Sequence, residues 1–290
     1  MLRKRLCFLL ILGLMGLSGC IDDSTVISVD KTGAGTVVVT TYLSKSAQVL
    51  MEQMLGSMGG KTTTSAKKNP FLENVELYKA KAASMGEGVK FVSAKELKKA
   101  DGSAGAQITY AYSDINKLKI DSEPNVPSGG GNDAMTTPDK DSSKKKESPV
   151  AFAFVKGTPS KLTVNIPKEV KSPGTGQPEE KNKPATPPTP EQLAQMKQMF
   201  NGFRMQLIVK VDGEITSSNA AYVEKDGKTN KKQIVTLIDM DMGKIIKDDA
   251  TFKKIAAMGQ IEDMATAKEK LKDIPGLKIE TAEKVDIEFK

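Results

Sequence analysis

Thr25-Val-Ile-Ser-Val29, Asp30-Lys-Thr-Gly-Ala-Gly35 and Thr36-Val-Val-Val-Thr-Thr-Tyr-Leu43 follow one another without a break. The two outer runs are β-branched, a side-chain type that crowds a helix and fits a pleated strand. The middle run holds the Asp and Gly residues of a turn. Ser24 to Leu43 therefore reads as a β-hairpin. Two strands alone are marginal in water, so others must flank them.

Further strands are legible downstream. Val89 to Leu97 and Ala106 to Tyr112 lie on either side of Asp101-Gly102. Val150 to Val155 and Lys161 to Ile166 form another hairpin across Lys156 to Ser160. Met205 to Val211, Ala220 to Glu224, Gln233 to Ile238 and Leu277 to Phe289 complete the set, with Asp226-Gly227 as a turn. Helical periodicity appears after Ser44, where Ala47, Leu50, Met51, Met54, Leu55 and Met58 share a face up to Gly59-Gly60. It recurs over Pro70 to Met85 and over Glu191 to Phe203, whose Leu193, Met196, Phe200 and Phe203 are aligned. Short helices are expected at Met242–Lys247, Asp249–Ala257 and Asp263–Lys272. Asp114 and Asp241 read as helix N-caps.

The pattern predicts an α+β fold, a twisted and mainly antiparallel sheet with packed helices. Two polar segments interrupt it. Residues 122–148 contain Gly129-Gly-Gly131 and Lys144-Lys-Lys146, and residues 168–190 contain Pro184, Pro187, Pro188 and Pro190. Both compositions read as disordered or extended. The hairpin between them needs strand partners, and loop closure costs only about 0.6 kcal/mol per doubling of length. The expectation is one composite domain over residues 20–290 with two insertions. The alternative is two domains, 20–167 and 191–290.

Working back to the amino terminus, Met1-Leu-Arg-Lys-Arg5 is a basic head and Leu6 to Gly16 an apolar stretch. Leu17-Ser-Gly-Cys20 then matches the lipobox of bacterial lipoproteins. Leu6 to Gly19 is shorter than the roughly 17–25 residues that span a bilayer. Residues 1–19 thus read as a cleaved lipoprotein signal peptide, with Cys20 as the lipidated residue. Two or more acyl chains anchor stably, so the expected location is the cell envelope, on the extracytoplasmic side of a bacterial membrane.

Composition excludes much chemistry. The chain has no His, which removes a Ser-His-Asp triad, a Cys-His pair and a His-bearing zinc or haem site. Its only cysteines are Cys7 and Cys20, one in the leader and one acylated, so thiolate chemistry and disulfides are out. The net charge of +7 includes Arg3, Lys4 and Arg5 of the leader, too mild for a nucleic-acid partner. Aromatics make up 5% of residues, so aliphatics and 14 Met must fill the core.

The lipobox, the Gly-punctuated hairpin Val26 to Leu43, the Phe152/Phe154 hairpin, Leu207 to Ile215 with Asn219-Ala220, and Val235-Thr-Leu-Ile-Asp-Met-Asp241 occur in an order that resembles a group of bacterial lipoproteins distantly similar to the LppM type. The resemblance implies an α+β lipoprotein with a twisted sheet, of a type likened to lipid-headgroup-binding folds. It carries over no catalytic or ligand residues.

Four polar or soft clusters are candidates for function. Asp239-Met-Asp241 places alternate carboxylates at a strand end, where they could hold a hard divalent cation; the plainer reading is a strand end followed by a helix cap. Asp22-Asp23 could meet lipid-bound cations or serve as a solvated tether. Met51, Met54 and Met58, with Met196 and Met199, suggest Cu(I) thioether ligation, against core packing on an apolar helix face. Lys144-Lys-Lys146 could meet anionic headgroups at about 1 kcal/mol each, or form a solvated loop. The expected function is a membrane-anchored, non-enzymatic binding or scaffold module without a cofactor. Its partners are the membrane through Cys20 and an envelope protein or anionic lipid. The alternatives are a carboxylate-dependent hydrolase of cell-wall glycan, and a lipid carrier with an apolar pocket of hundreds of Å3.

Overall fold

The computed structural model describes residues 21–49, 70–72, 75–120, 149–167, 189–257 and 273–290. Cys20, most of the helix expected after Ser44, the 122–148 and 168–188 segments, Met51, Met54, Met58, Lys144 to Lys146 and the Asp263–Lys272 helix lie outside them.

The opening hairpin forms as β1 (Ile21–Val29) and β2 (Gly35–Leu43), with Asp22 opposite Tyr42 and Val29 opposite Gly35. In β1 the odd-numbered side chains are buried and the even-numbered ones half-buried, the period-two signature of a sheet covered on one face. Helix α1 (Val75–Ser84) follows, then β3 (Lys90–Lys98) and β4 (Ala104–Tyr112). After a short 3-10 turn at Ile115–Lys117, capped by Asp114, come β5 (Lys119–Ile120), β6 (Val150–Val155) and β7 (Ser160–Asn165).

Helix α2 (Pro190–Phe200) begins one residue earlier than expected. Pro190 tolerates the first helical position because it lacks an N–H that would go unpaired there. Thr189 and Gln192 form a reciprocal capping box. Then follow β8 (Arg204–Val211), β9 (Ile215–Ser218), β10 (Val223–Lys225), β11 (Lys232–Asp241), α3 (Met242–Ile245), α4 (Asp249–Ala257), β12 (Leu277–Ile279) and β13 (Lys284–Phe289).

The protein is α+β, and its strands divide between two sheets where the sequence reading placed them in one. The larger runs β10-β11-β8-β1-β2-β4-β3, with β12 also beside β11; the smaller runs β5-β6-β7-β13-β9. The pairings are antiparallel except β1 with β8, which run parallel. The expected final strand Leu277–Phe289 is in fact two, one in each sheet. The break is at Glu280, a buried carboxylate that accepts the Ala221 and Ala282 amides and turns the chain between sheets. Strand β9 was missed because Thr216, Ser217 and Ser218 carry no apolar alternation.

Both sheets feed one core. Ile27, Val37 and Val209 of the larger sheet join Leu162, Val164, Val285, Ile287 and Phe289 of the smaller. Each fully buried aliphatic contributes about 1.5–3 kcal/mol. A second cluster gathers Leu193, Phe203, Met242, Ile245, Phe252 and Ile274, with Met196, Phe200, Met205 and Met240 packed against it. Met196 therefore fills a core in the described structure. Strand β3 is an edge of the larger sheet, and Lys90, Lys95 and Lys98 discourage pairing with another chain there.

Candidate functional site

The larger sheet offers two candidate sites, one at each end of β1. That strand begins at Ile21, the residue after Cys20, and lies inside the sheet between β2 and β8. Because β8 runs parallel to it, Arg204 at the start of β8 stands beside Asp22. The antiparallel partner β11 brings Asp241 opposite Arg204 and Asp239 opposite Gln206. The two candidate acidic pairs thus meet at the end of the sheet next to Cys20.

They do not meet as a cation site. Strand alternation splits the first pair. Asp22 lies on the outer face and binds Lys99 Nζ at 2.7 Å, whereas Asp23 is buried and accepts the Thr41 hydroxyl. On the outer face, Arg204 Nε and Nη2 reach the two oxygens of Asp239 at 3.2 and 3.3 Å. Burial works against the guanidinium's charge, but Asp239, Asp241 and Asp22 outweigh it and raise the Arg204 pKa. Asp241 accepts the Lys244 amide at 3.0 Å and caps α3, as the sequence suggested. Among the described residues no group of three or more His, Cys, Asp or Glu is placed to hold a metal ion.

The same rim carries an aromatic group. Lys99 Nζ sits 4.0 Å from the Tyr42 ring centroid. The ring also passes close to Gly105, where an added Cβ would fall 2.8 Å from Tyr42 and 2.1 Å from the Thr41 carbonyl. Tyr42, Lys99 and Arg204 escaped the sequence reading because only cross-strand register brings them to Asp22.

At the far end of β1 is an open cleft of about 250 Å3, in which Val29 and Val211 stand among Ser28, Asp30, Thr36, Lys210, Asp212, Thr229 and Gln233. Two turns border it. In one, Asp30 accepts the Thr32 and Ala34 amides and the Thr32 hydroxyl. Burial alone would raise the Asp30 pKa, but these hydrogen bonds, with the Gly33 amide, hold it below the usual carboxylate range. In the other, Asp226 accepts the Lys228 and Thr229 amides and pairs with Lys210 Nζ at 2.5 Å. The Lys210 contact, then those amides, lower the Asp226 pKa to about 2. The sequence reading took both loops as turns only. Their shared use of an Asp followed by Lys-Thr, in Asp30-Lys-Thr32 and Asp226-Gly-Lys-Thr229, is the signal that could have flagged them.

A second hollow, apolar and lined by Val39, Phe71, Tyr78, Ile108 and Tyr110, measures about 20 Å3. That is the scale of one water molecule, far short of an acyl chain. Among the described residues no helix is long and apolar enough to cross a membrane.

No family model matches the sequence, and no curated protein matches it. Among solved structures, the NMR structure of the folded domain of Mycobacterium tuberculosis LppM aligns with 78% of this chain and 85% of that one, at 11% identity and a TM-score of 0.27. The superposition is too loose to carry a fold or a function from one to the other.

Proposed function

We propose that this protein is a membrane-anchored envelope lipoprotein, a non-enzymatic binding or scaffold module held by lipidated Cys20 on the extracytoplasmic side of a bacterial membrane. One observation carries the reading. The lipobox cysteine is followed directly by Ile21, the first residue of an interior strand of the larger sheet. A lipid on Cys20 adjoins the first strand with no intervening residue, which holds the end of the sheet bearing the Tyr42, Lys99 and Arg204 rim close to the lipid surface. At about 3.3 Å per residue, the nine residues of β1 set the cleft at its far end up to roughly 30 Å from that surface.

The state of the carboxylates supports binding over hydrolysis. Glycan cleavage by paired acids requires one carboxyl that stays protonated near neutral pH. Asp239 and Asp241 are engaged by Arg204 and by the α3 cap, and Asp30 and Asp226 are pushed toward ionisation. The lysine run 144–146 adds contact with anionic headgroups, since a chain already anchored needs no further translational entropy to bind beside its anchor.

The test is membrane fractionation of cells fed labelled palmitate. Cys20→Ala is expected to lose the label and move to the soluble fraction. A flexible Gly-Ser insertion between Cys20 and Ile21 is expected to keep the label and abolish protection of Tyr42 from membrane-impermeant probes. An unlabelled protein that still sediments with membranes would overturn the anchor, and unaltered Tyr42 protection would overturn the seated geometry.

A further inference from the structure

The bond at which the leader would be cut, Gly19–Cys20, stands one residue before the fold. Ile21 is 6% exposed and pairs with Leu43 of β2. Asp22 is held on both sides, opposite Tyr42 of β2 and Arg204 of β8, and its carboxylate binds Lys99. Asp23 is buried and accepts the Thr41 hydroxyl. Cys20 is thus the only residue between that bond and a fixed interior strand, and one residue spans at most about 3.6 Å.

Hydrolysis brings catalytic groups within about 3–3.5 Å of the Gly19 carbonyl, with the body of a peptidase around them. On the product side of the bond the chain has no slack to offer such an enzyme. Its backbone is spent in two ladders, one to β2 and one to β8. An edge strand could fray locally, but withdrawing β1 opens both ladders and exposes Ile21, Ile27 and Val29, which amounts to taking the sheet apart. The second neighbour of β1 is made from residues 204–211, so the sheet stays open until most of the chain has emerged. We propose that leader removal precedes the seating of β1 between β2 and β8. Water splits the Gly19–Cys20 amide into a Gly19 carboxylate and a Cys20 amine while the mature chain is still open, and the closed sheet withholds that bond. This inference rests on the reading of residues 1–19 as a cleaved leader and deepens it. The adjacency that holds the rim near the lipid also makes cleavage and folding an ordered sequence.

The test is a pulse-chase in cells whose lipoprotein signal peptidase is under repressible control. Full-length precursor is labelled during repression and aged, and the peptidase is then restored. Trypsin separates folded precursor from open precursor. The resistant precursor is expected to lose its leader at least about a hundredfold more slowly than newly made chain. Only the fraction with β1 withdrawn reacts, and a stable domain keeps that fraction at or below about 10⁻³. A Gly-Ser insertion of about ten residues between Cys20 and Ile21, roughly 30 Å when extended, is expected to bring the two rates together. Val209→Asp places a charge at a fully buried position of β8 and is expected to be cleaved at the new-chain rate at any age. If resistant precursor forms only in the insertion variant, the same exclusion operates from the leader's side and the order stands. Equal rates for resistant and newly made parent chains, or a delay that the insertion does not relieve, would overturn the order and leave the anchor in place. No cleavage of newly made parent chain would overturn the anchored reading itself, and the order with it.

Discussion

Arg204 is the register partner of Asp22 across the parallel strands β1 and β8. The pairing unites the chain's earliest described strand with one that starts almost two hundred positions later. It also places one guanidinium in hydrogen-bond contact with Asp239 and within electrostatic reach of Asp22 and Asp241.

Arg204→Met should therefore destabilise the protein. Hydrogen bonds to charged groups contribute about 1.5–3 kcal/mol, and partial exposure discounts this pair to about 1 kcal/mol. Adding Asp239→Asn, which removes the charge left facing the gap, should restore part of the loss. Urea titrations of the single and double variants measure the effect; no recovery in the double variant would show that Arg204 acts by packing alone.

Gly35→Ala tests the opening hairpin. A Cβ at Gly35 would fall 1.8 Å from the Ser28 carbonyl oxygen and 2.6 Å from the Tyr112 hydroxyl. That hydroxyl already donates to Ser28 at 2.7 Å, so neither obstacle can yield without losing a bond. Overpacking of this kind costs about 1–3 kcal/mol. Gly227→Ala is the control, with nothing within 4 Å of the new methyl and a change within about 0.5 kcal/mol expected. Equal melting temperatures for the two variants would contradict the close approach of β1 and β2.

The contrast between those glycines shows what was legible in the sequence. β-branched runs and turn residues located most described strands, because those signals are local. The helix caps at Asp114 and Asp241 were visible for the same reason. Pairing was not. Nothing in Leu277 to Phe289 says that its halves enter different sheets, because the switch depends on Glu280 reaching the Ala221 amide 59 residues away. The acidic pairs were found as motifs, but their chemistry was decided by Lys99, Thr41 and Arg204, which the fold brings from distant parts of the chain. The cleft residues were read as turn formers because each turn satisfies its own Asp, and only the fold sets the two turns side by side at the end of β1.

Acid stability should depend on Asp226. Its pKa falls from 3.8 to about 2 on folding, chiefly through Lys210. A depressed carboxylate contributes stability that is complete above the unfolded pKa and is lost as pH falls through the folded one. The window is thus pH 3.8 down to about 2. Asp226→Asn keeps an oxygen for the Lys228 and Thr229 amides and removes the charge facing Lys210. Its unfolding free energy should fall less steeply than that of the parent across this window. Parallel pH profiles would mean that the Lys210 pair forms equally in the unfolded chain.

The closure of β5 on β6 makes the last prediction. Ile120 and Val150 are direct register partners, so the ends of the long connection between them already lie side by side. Joining them by a four-residue turn containing Asn-Gly should leave the smaller sheet intact. Shortening a loop of roughly thirty residues to four removes about three doublings of length, worth about 2 kcal/mol of closure entropy at 0.6 kcal/mol each. The melting temperature should stay level or rise. The lysines at 144–146 leave with the loop, so binding to anionic vesicles should weaken while palmitate labelling at Cys20 persists. Collapse of the fold would make the connection structural, and undiminished vesicle binding would move the headgroup contact to the Tyr42 and Arg204 rim.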